Sequence, residues 1–213
     1  YPVISRRAGG VSVGINLNPN NACNWACIYC QVEGLQRGGP PPIDLSRLEN
    51  ELSSFLSAAV DCHWLDKNAP PEARRLVDVA FSGNGEPTSA AEFPAAVDLV
   101  GNVLRARGLE LPVRLITNGS FLHRPAVQHA LQSLATLGGE VWFKLDRADS
   151  AAIQRINGIA GTPEKAQRNL QICASLVPTW VQTCWFALDG AAPNAASRQA
   201  YCQLLQPLAA QLK

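Results

Sequence analysis

The chain has 213 residues, of which 47% are hydrophobic and 16% charged, and its formal net charge at pH 7 is +1. This composition is typical of one globular domain and excludes a mainly disordered chain, and no apolar run reaches the roughly 18 to 20 residues of a membrane-spanning helix. The near-neutral charge counts against a nucleic-acid binder that acts by overall electrostatic attraction, although it leaves room for a local basic patch.

Strand-like apolar runs alternate with amphipathic stretches, and this alternation predicts repeated β-α units around a parallel sheet. The predicted strands cover residues 11–17, 77–81, 113–117, 141–145 and 181–188. Five units are visible and a closed barrel of this type needs eight, so we predict an α/β fold that is either an open or partial barrel or a doubly wound sheet. In each of these architectures ligands bind at the carboxyl ends of the strands.

The helices are predicted from capping residues, prolines and apolar faces. Their starts are marked by Ser46 with Glu49 (near Asp44 or Ser46), Ser89 with Glu92, Pro125, and Thr162 with Pro163, and a last helix carries Leu204, Leu205, Leu208 and Leu212. The chain begins at Tyr1 and contains no methionine, so we expect a trimmed chain. Its length predicts a single core domain over residues 1–213, which we expect to be truncated at its C-terminal end. An odd number of cysteines, seven, and the lack of a secretory pattern favour a reducing, cytoplasmic setting.

The most informative segment follows the first strand, where Cys23, Cys27 and Cys30 have the spacing Cys-x3-Cys-x2-Cys. Three thiolates this close can converge on one metal centre, and soft sulfur ligands favour an iron-sulfur cluster, zinc or cuprous copper. A four-iron cluster is usually held by four cysteines, so three leave one iron open to bind a substrate or cofactor. Structural zinc prefers four ligands, and the next candidates, Cys62 and His63, are more than thirty residues away.

The triplet, with Tyr29 directly before its third cysteine, resembles the signature of the radical S-adenosylmethionine superfamily, and its position after strand one agrees with this resemblance. The resemblance implies a partial (β/α)6-type barrel, a [4Fe-4S] cluster on the three cysteines, and S-adenosylmethionine bound to the open iron. In that superfamily an electron from the reduced cluster cleaves the sulfonium to give methionine and a 5′-deoxyadenosyl radical, which abstracts hydrogen from the substrate. The resemblance also implies that Tyr29 packs on the adenine.

The second and third strands end in loops with polar residues. The second ends in Ser82-Gly83-Asn84-Gly85-Glu86, which by itself is a turn whose glycines allow close approach of a ligand to the backbone. It is similar to the Gly-Gly-Glu motif with which the superfamily holds the methionine amino group, and it departs from that motif at Asn84. The resemblance makes Gly83, Asn84, Gly85 and Glu86 cofactor contacts, while a helix-capping role for Glu86 is the alternative. At the end of strand three it places Thr117 or Asn118 near the ribose or the methionine carboxylate.

The fourth strand carries charged residues near its end. Period-two alternation places Lys144 and Asp146 on one face and Phe143 and Leu145 on the other. A polar face on a central strand is unusual, because buried charges must be paired or solvated in a site. We therefore interpret Lys144 and Asp146 as catalytic residues that face the cofactor or substrate, with a salt-bridged pair near the strand end as the alternative.

Three interpretations of function stay open. The first is a radical S-adenosylmethionine enzyme that acts on a small molecule or peptide and takes electrons from a flavodoxin or ferredoxin, with no membrane partner. The second is a tRNA modifier, because the strand-end phrases at 116–119, 143–146 and 181–183 are similar to the wyosine-type (tRNA-imidazoG synthetase-like) branch. That branch uses a second cluster and a basic tRNA-binding surface, and the chain has no cysteine before Cys23 and no evident basic stripe. The third is a non-catalytic module in which the triplet holds zinc.

Overall fold

A computed structural model describes residues 1–5 and 8–213 of the chain. The strands of the described residues are β1 (Pro2–Ser5), β2 (Gly10–Ile15), β3 (Ala22–Cys23), β4 (Gln36–Arg37), β5 (Leu76–Phe81), β6 (Val113–Thr117), β7 (Glu140–Lys144) and β8 (Thr179–Gln182). The helices are α1 (Leu45–Asp61), α2 (Trp64–Asn68), α3 (Phe93–Ala106), α4 (Pro125–Thr136), α5 (Ser150–Asn157), α6 (Pro163–Leu176) and α7 (Ala195–Leu205). Short 3₁₀ helices cover Pro71–Ala73, Pro87–Ser89 and Gln206–Gln211. In this part of the chain, no helix is both long enough and apolar enough to cross a membrane.

The main sheet orders its strands as β1-β2-β5-β6-β7-β8. β1 pairs antiparallel with β2, and every later pair of neighbours is parallel. From β2 onward the spatial order follows the chain order, whereas a doubly wound sheet would reverse its order at a switch point. The predicted α/β fold is therefore confirmed in the form of a partial barrel, and the doubly wound alternative is excluded for the described residues.

One apolar core holds the larger helices on one face of this sheet. α1 packs on α3, α3 on α4, α4 on α6 and α6 on α7. Outward-facing strand residues such as Val79, Leu115 and Phe143 are almost completely buried beneath them. Because burial of apolar surface stabilises a fold by about 25 cal/mol per Å², this layer stabilises the sheet.

The other face of the sheet, inside the partial barrel, carries an ion network made of Asp78, Arg114 and Glu140. Arg114 Nε donates to Glu140 Oε1 over 2.6 Å, and its Nη1 pairs with Asp78. The indole of Trp180 donates to Glu140 Oε2 over 2.8 Å. Because each charge is paired, the sheet tolerates polar residues on this face, which alternate with the buried apolar ones along each strand.

The predicted start of α1 near Asp44 is confirmed, because the Asp44 side chain accepts the backbone N–H of Arg47. The capping box predicted from Ser46 and Glu49 is wrong, because Ser46 already lies inside the first turn. The cap predicted for the next helix is also wrong. Glu92 precedes α3 and makes no side-chain cap bond, while Ser89 closes the 3₁₀ helix Pro87–Ser89. The predicted start of α6 is confirmed, since the Thr162 side chain accepts from Lys165 N.

The fifth predicted strand, 181–188, is displaced along the chain: it shares only residues 181 and 182 with β8, which begins at Thr179. β8 ends at Gln182, and the next residues leave the sheet because Cys184 N donates to the Asp146 side chain over 2.9 Å instead of to a neighbouring strand. The other four predicted strands agree with β2, β5, β6 and β7 to within two residues at each end. The edge strand β1, the β3-β4 ladder and the short helix α5 were not predicted.

Candidate functional site

An open cavity of about 570 Å³ lies at the carboxyl ends of the parallel strands, where loops from neighbouring β-α units face one another. Most of the residues predicted as site residues line it: Cys23, Cys27, Tyr29, Cys30, Gly83, Asn84, Gly85, Glu86, Thr117, Asn118 and Lys144. Asp146 lines a smaller neighbouring cavity of about 80 Å³, which shares Trp25, Asn118 and Lys144 with the first. The topology thus brings together residues that are more than a hundred positions apart in the chain.

The cysteine loop (residues 22–38) holds its first cysteine through backbone pairing. β3 and β4 form a two-stranded parallel ladder at the two ends of this loop. Gly38 N donates to Cys23 O over 3.0 Å, and Asn18 Nδ2 donates to Ala22 O over 3.0 Å. The main chain at Cys23 is therefore fixed by a bond to its own carbonyl group and a bond from the Asn18 side chain to the carbonyl group of Ala22.

The second part of the loop is held by the C-terminal end of α5. Ala26 N donates to Asn157 O over 3.0 Å, and Ile28 N donates to Ile156 O over 2.9 Å. The last carbonyl groups of a helix have no partner within the helix, so they are available to donors from another segment. Cys27, which lies between the two donor residues, is thereby placed over the end of α5.

The three thiols of the triplet are free and differ in exposure. Cys30 is exposed, whereas Cys23 and Cys27 are half-buried. Burial raises the pKa of the Cys23 and Cys27 thiols, and hydrogen bonds from Trp25 N to Cys23 and from Asn157 to Cys27 act in the opposite direction. Soft sulfur donors on one cavity fit an iron-sulfur centre by their chemistry.

A site for a single metal ion is not found at the triplet. Within residues 1–5 and 8–213, no group of three or more histidine, cysteine, aspartate or glutamate side chains could hold one metal ion.

The glycines after β5 are required by close approach of the chain to itself. A Cβ on Gly83 would lie 2.5 Å from Asn16 Oδ1, and a Cβ on Gly85 would lie 2.2 Å from Ala22 O. Between them, Asn84 N donates to Asn16 Oδ1 over 3.2 Å. The loop after β5 and the start of the cysteine loop therefore pack directly on each other, and a side chain at either glycine would separate them.

Glu86 is buried, and its carboxylate is surrounded by donors. Its Oε1 accepts from Thr88 N over 3.1 Å and from Thr117 Oγ1 over 2.6 Å, and its Oε2 accepts from Asn118 N over 2.7 Å. Burial raises the pKa of this carboxyl, while these hydrogen bonds lower it. The side chain caps the 3₁₀ helix Pro87–Ser89, in agreement with the helix-capping role predicted from the sequence as the alternative. It also joins the end of β5 to the end of β6.

Asn118 and Thr117 divide their roles at the end of β6. Thr117 is buried and its hydroxyl, besides donating to Glu86, accepts from Gly119 N over 3.0 Å. Asn118 Nδ2 donates to Asn24 Oδ1 over 2.9 Å, which links this strand end to the cysteine loop. Both residues contribute to the cavity wall, with Asn118 the more accessible of the two.

Lys144 and Asp146 have different environments. Lys144 Nζ lies 5.0 Å from the centre of the Tyr29 ring and faces the larger cavity. Asp146 is 2% exposed and accepts hydrogen bonds from Tyr29 Oη, from Asn157 Nδ2 over 2.8 Å and from Cys184 N. Burial and the Asp146 carboxylate raise the pKa of the Tyr29 hydroxyl. Among the described ion pairs none joins Lys144 to Asp146, so the salt-bridged alternative is not observed.

Two residues of the site were not predicted. Trp25 lies inside the triplet, lines both cavities and donates its indole N–H to Ser120 Oγ over 2.8 Å. Asn157 donates to both Asp146 and Cys27. The sequence signal for Asn157 is the pair Asn157-Gly158, which repeats the Asn118-Gly119 pair at the end of β6.

Comparison with known proteins gives distant sequence relatives. No family model matches the chain. The UPF0026 protein MJ1312 of Methanocaldococcus jannaschii is 26% identical over 156 residues, which are 73% of this chain and 42% of that protein. The GTPase Obg of Brachyspira hyodysenteriae is 27% identical over 130 residues, which are 61% of this chain and 17% of that protein. The chain thus spans less than half the length of these relatives.

Solved structures match more of the chain. OxsB, a cobalamin-dependent S-adenosylmethionine radical enzyme, has a TM-score of 0.59 and 11% identity to this chain. The match covers 90% of this chain and 26% of the OxsB chain. SuiB of Streptococcus suis, solved with S-adenosylmethionine, covers 93% of this chain and 36% of its own, with a TM-score of 0.56 and 10% identity. A spore photoproduct lyase variant with bound S-adenosylmethionine covers 99% of this chain and 54% of its own, with a TM-score of 0.57 and 12% identity. The chain has the partial-barrel fold on which these S-adenosylmethionine-binding proteins are built.

Proposed function

We propose that this chain is the core of a radical S-adenosylmethionine enzyme. It would cleave S-adenosylmethionine reductively and direct the resulting 5′-deoxyadenosyl radical to a hydrogen atom of a small-molecule or peptide substrate. The observation that carries this proposal is the convergence of Cys23, Cys27 and Cys30 with the loops after β5 and β6 and with the end of β7 on one cavity. The fold shared with S-adenosylmethionine-binding proteins supports it.

The cysteines and the cavity would divide the binding of two cofactors. Cys23, Cys27 and Cys30 would hold a [4Fe-4S] cluster, and the cavity would hold S-adenosylmethionine. When bound, the cluster supplies the electron for cleavage and an open iron for the cofactor. The protein supplies binding and orientation.

The residues around the cavity suit the parts of S-adenosylmethionine. The Tyr29 ring offers an aromatic face to the adenine, and the Lys144 ammonium offers a positive charge to a carboxylate of the cofactor or substrate. Gly85 keeps the main chain of the loop after β5 close to the cysteine loop, and Gly83 keeps it close to Asn16 at the end of β2. Glu86 contributes by holding Thr117 and Asn118 at the wall, since its own oxygens already accept protein donors.

The wyosine-type branch is a finer proposal, in which tRNA is the substrate. Its support is the similarity of residues 116–119 and 143–146, which lie at the ends of β6 and β7 and so reach the cavity walls. Titration of the protein with transcribed tRNA at two salt concentrations tests it, because the affinity of a phosphate-binding protein falls steeply as salt rises. Salt-dependent binding supports the tRNA substrate, and lack of binding at low salt excludes it.

We further propose the setting in which this core works. Residues 1–213 would form a single core domain, and the continuous apolar cluster that the described residues form beneath the sheet supports this. A flavodoxin or ferredoxin would supply the electron. The seven cysteines are all free, which agrees with the reducing conditions of a cytoplasm.

The proposal predicts that Cys27→Ala abolishes both cluster binding and cofactor cleavage. The protein is reconstituted anaerobically with iron and sulfide, reduced with dithionite and mixed with S-adenosylmethionine, and 5′-deoxyadenosine is measured by mass. Cys62→Ala is the matched control, because Cys62 is an exposed cysteine at the C-terminal end of α1, outside the cavity. A Cys27→Ala protein that forms 5′-deoxyadenosine as fast as Cys62→Ala contradicts the proposal.

A further inference from the structure

Four segments of the chain meet at the buried carboxylate of Asp146. The Tyr29 hydroxyl comes from the cysteine loop, Asn157 from the end of α5, and Cys184 N from the segment after β8. Asp146 itself follows β7. Since an ionised carboxylate only accepts hydrogen bonds, three donors from three other segments make it a fixed point for all of them.

Asn157 connects this fixed point to the cysteine triplet. Its side chain is 1% exposed, and its Nδ2 atom carries two N–H groups. Nδ2 lies 2.8 Å from Asp146 Oδ2 and 3.4 Å from Cys27 Sγ, so each N–H has one acceptor. The carboxylate fixes the amide, and the amide in turn faces the sulfur.

The main chain around Asn157 holds the same loop. Asn157 O and Ile156 O accept the N–H groups of Ala26 and Ile28, the residues on either side of Cys27. Arg37, in β4 near the end of the loop, donates to Gly158 O over 3.1 Å. The end of α5 therefore contacts the cysteine loop through one side-chain bond and three bonds to its carbonyl groups.

We propose that Asn157 is a positioning residue for the metal centre: it orients Cys27 and donates an N–H hydrogen bond to its sulfur. This inference rests on the proposed function, because it concerns the sulfur that would bind iron. Hydrogen bonds to cluster sulfurs set the reduction potential, and residues that orient the ligands of a metal site affect its assembly. Asp146 acts one step further out, by fixing the Asn157 amide.

The first experiment uses the protein without metal. Hydrogen exchange over residues 23–30 is compared between the unmodified protein, Asn157→Ala and Asn169→Ala. Asn169 is the matched control because it is also a buried asparagine, and its Nδ2 donates to Gly119 O rather than to the cysteine loop. We expect exchange in this segment to be roughly fivefold faster in Asn157→Ala, the size of effect expected for the loss of about one net hydrogen bond, and unchanged in Asn169→Ala.

The second experiment measures the reduction potential of the reconstituted protein. Loss of an N–H donor to a cluster sulfur disfavours the more negative, reduced state, so Asn157→Ala is expected to shift the potential to a more negative value, and Asn169→Ala is not. Asn157→Leu keeps a side chain of similar size at the site but has no donor, and it is expected to shift the potential in the same direction. This second variant keeps the test valid if the Ala variant does not fold. A purely structural role would leave the potential of the assembled centre unchanged.

The outcomes separate this inference from the proposed function. Potentials of folded Asn157 variants that equal that of the unmodified protein overturn the hydrogen bond to the centre. If the unmodified protein takes up no iron and sulfide, the proposed function fails by itself. In that case the exchange experiment still decides the positioning role, and equal exchange in Asn157→Ala and Asn169→Ala overturns it.

Discussion

At the scale of single residues, two buried carboxylates, Glu86 and Asp146, fix the residues that line the cavity. Both lie at strand ends, where a carboxylate can bind a ligand, yet the structure fills their oxygens with donors from the protein. A buried carboxylate that accepts several hydrogen bonds is retained because its donors would otherwise be left without partners. Their contribution to the site is therefore to fix Thr117, Asn118 and Tyr29.

This role of Glu86 predicts a large effect of a small change. Glu86→Gln places an amide N–H where Thr88, Thr117 and Asn118 donate, so at least one buried donor loses its acceptor. We expect the free energy of unfolding to fall by about 1–3 kcal/mol, measured by urea denaturation. Glu49→Gln on the exposed face of α1 is the control and should change it by less than about 0.5 kcal/mol. Equal stability of the two variants would show that the Glu86 contacts contribute nothing.

At the scale of elements, the short helix α5 matters because its C-terminal end docks the cysteine loop. Gly158 ends the helix in the left-handed region, with φ of +66°. A Cβ at this position would lie 2.8 Å from Ala26 O, so the loop lies directly against the glycine. The helix end and the loop can approach this closely only because residue 158 has no side chain.

Gly158→Ala is therefore expected to displace the cysteine loop. The matched control is Gly108→Ala, because Gly108 has nearly the same φ of +61° and no atom lies near its Cβ position. The control measures the cost of the left-handed conformation alone, about 1–2 kcal/mol. We expect Gly158→Ala to lose more stability than Gly108→Ala in urea denaturation and to bind less iron after reconstitution. Equal losses of stability and equal iron contents would contradict docking of the loop on α5.

At the scale of the whole molecule, the sheet has an apolar outer face and a polar inner face. The period-two pattern of β7 predicts both faces correctly, with Phe143 buried and Lys144 facing the cavity.

The clustering of the cysteine triplet with the loop after β5 follows from parallel strands, since their carboxyl ends share one edge. The contact between Cys27 and Asn157 could not be predicted, because the residues are 130 positions apart and α5 is only eight residues long. The wrong cap at Ser46 has a local cause, because Asp44 and Ser46 are both good capping residues.

The inner-face ion network gives the whole molecule a pH dependence. Burial raises the pKa of Glu140, but hydrogen bonds from Arg114, Trp180 and Trp142 outweigh it, so the pKa lies below its ordinary value. A carboxyl whose folded-state pKa is lowered contributes stability above its unfolded pKa of about 4.3. This contribution is lost as the pH falls through the folded-state pKa.

We therefore expect the free energy of unfolding at pH 7 to be larger for the unmodified protein than for Glu140→Gln. This difference should shrink as the pH falls below about 4. Urea denaturation of both proteins across this pH range measures it. A difference that stays constant, or grows on acidification, would mean that Glu140 is not stabilised as a carboxylate in the folded state.

The central claim is that the three cysteines and the cavity perform reductive cleavage of S-adenosylmethionine. The most direct measurement is the yield of 5′-deoxyadenosine and methionine from the anaerobically reconstituted, reduced protein, quantified together by mass. We expect the unmodified protein to form equal amounts of the two products and the Cys27→Ala protein to form neither product. A well-formed cluster that leaves S-adenosylmethionine intact with reductant and candidate substrates present, or cleavage that survives Cys27→Ala, would contradict it.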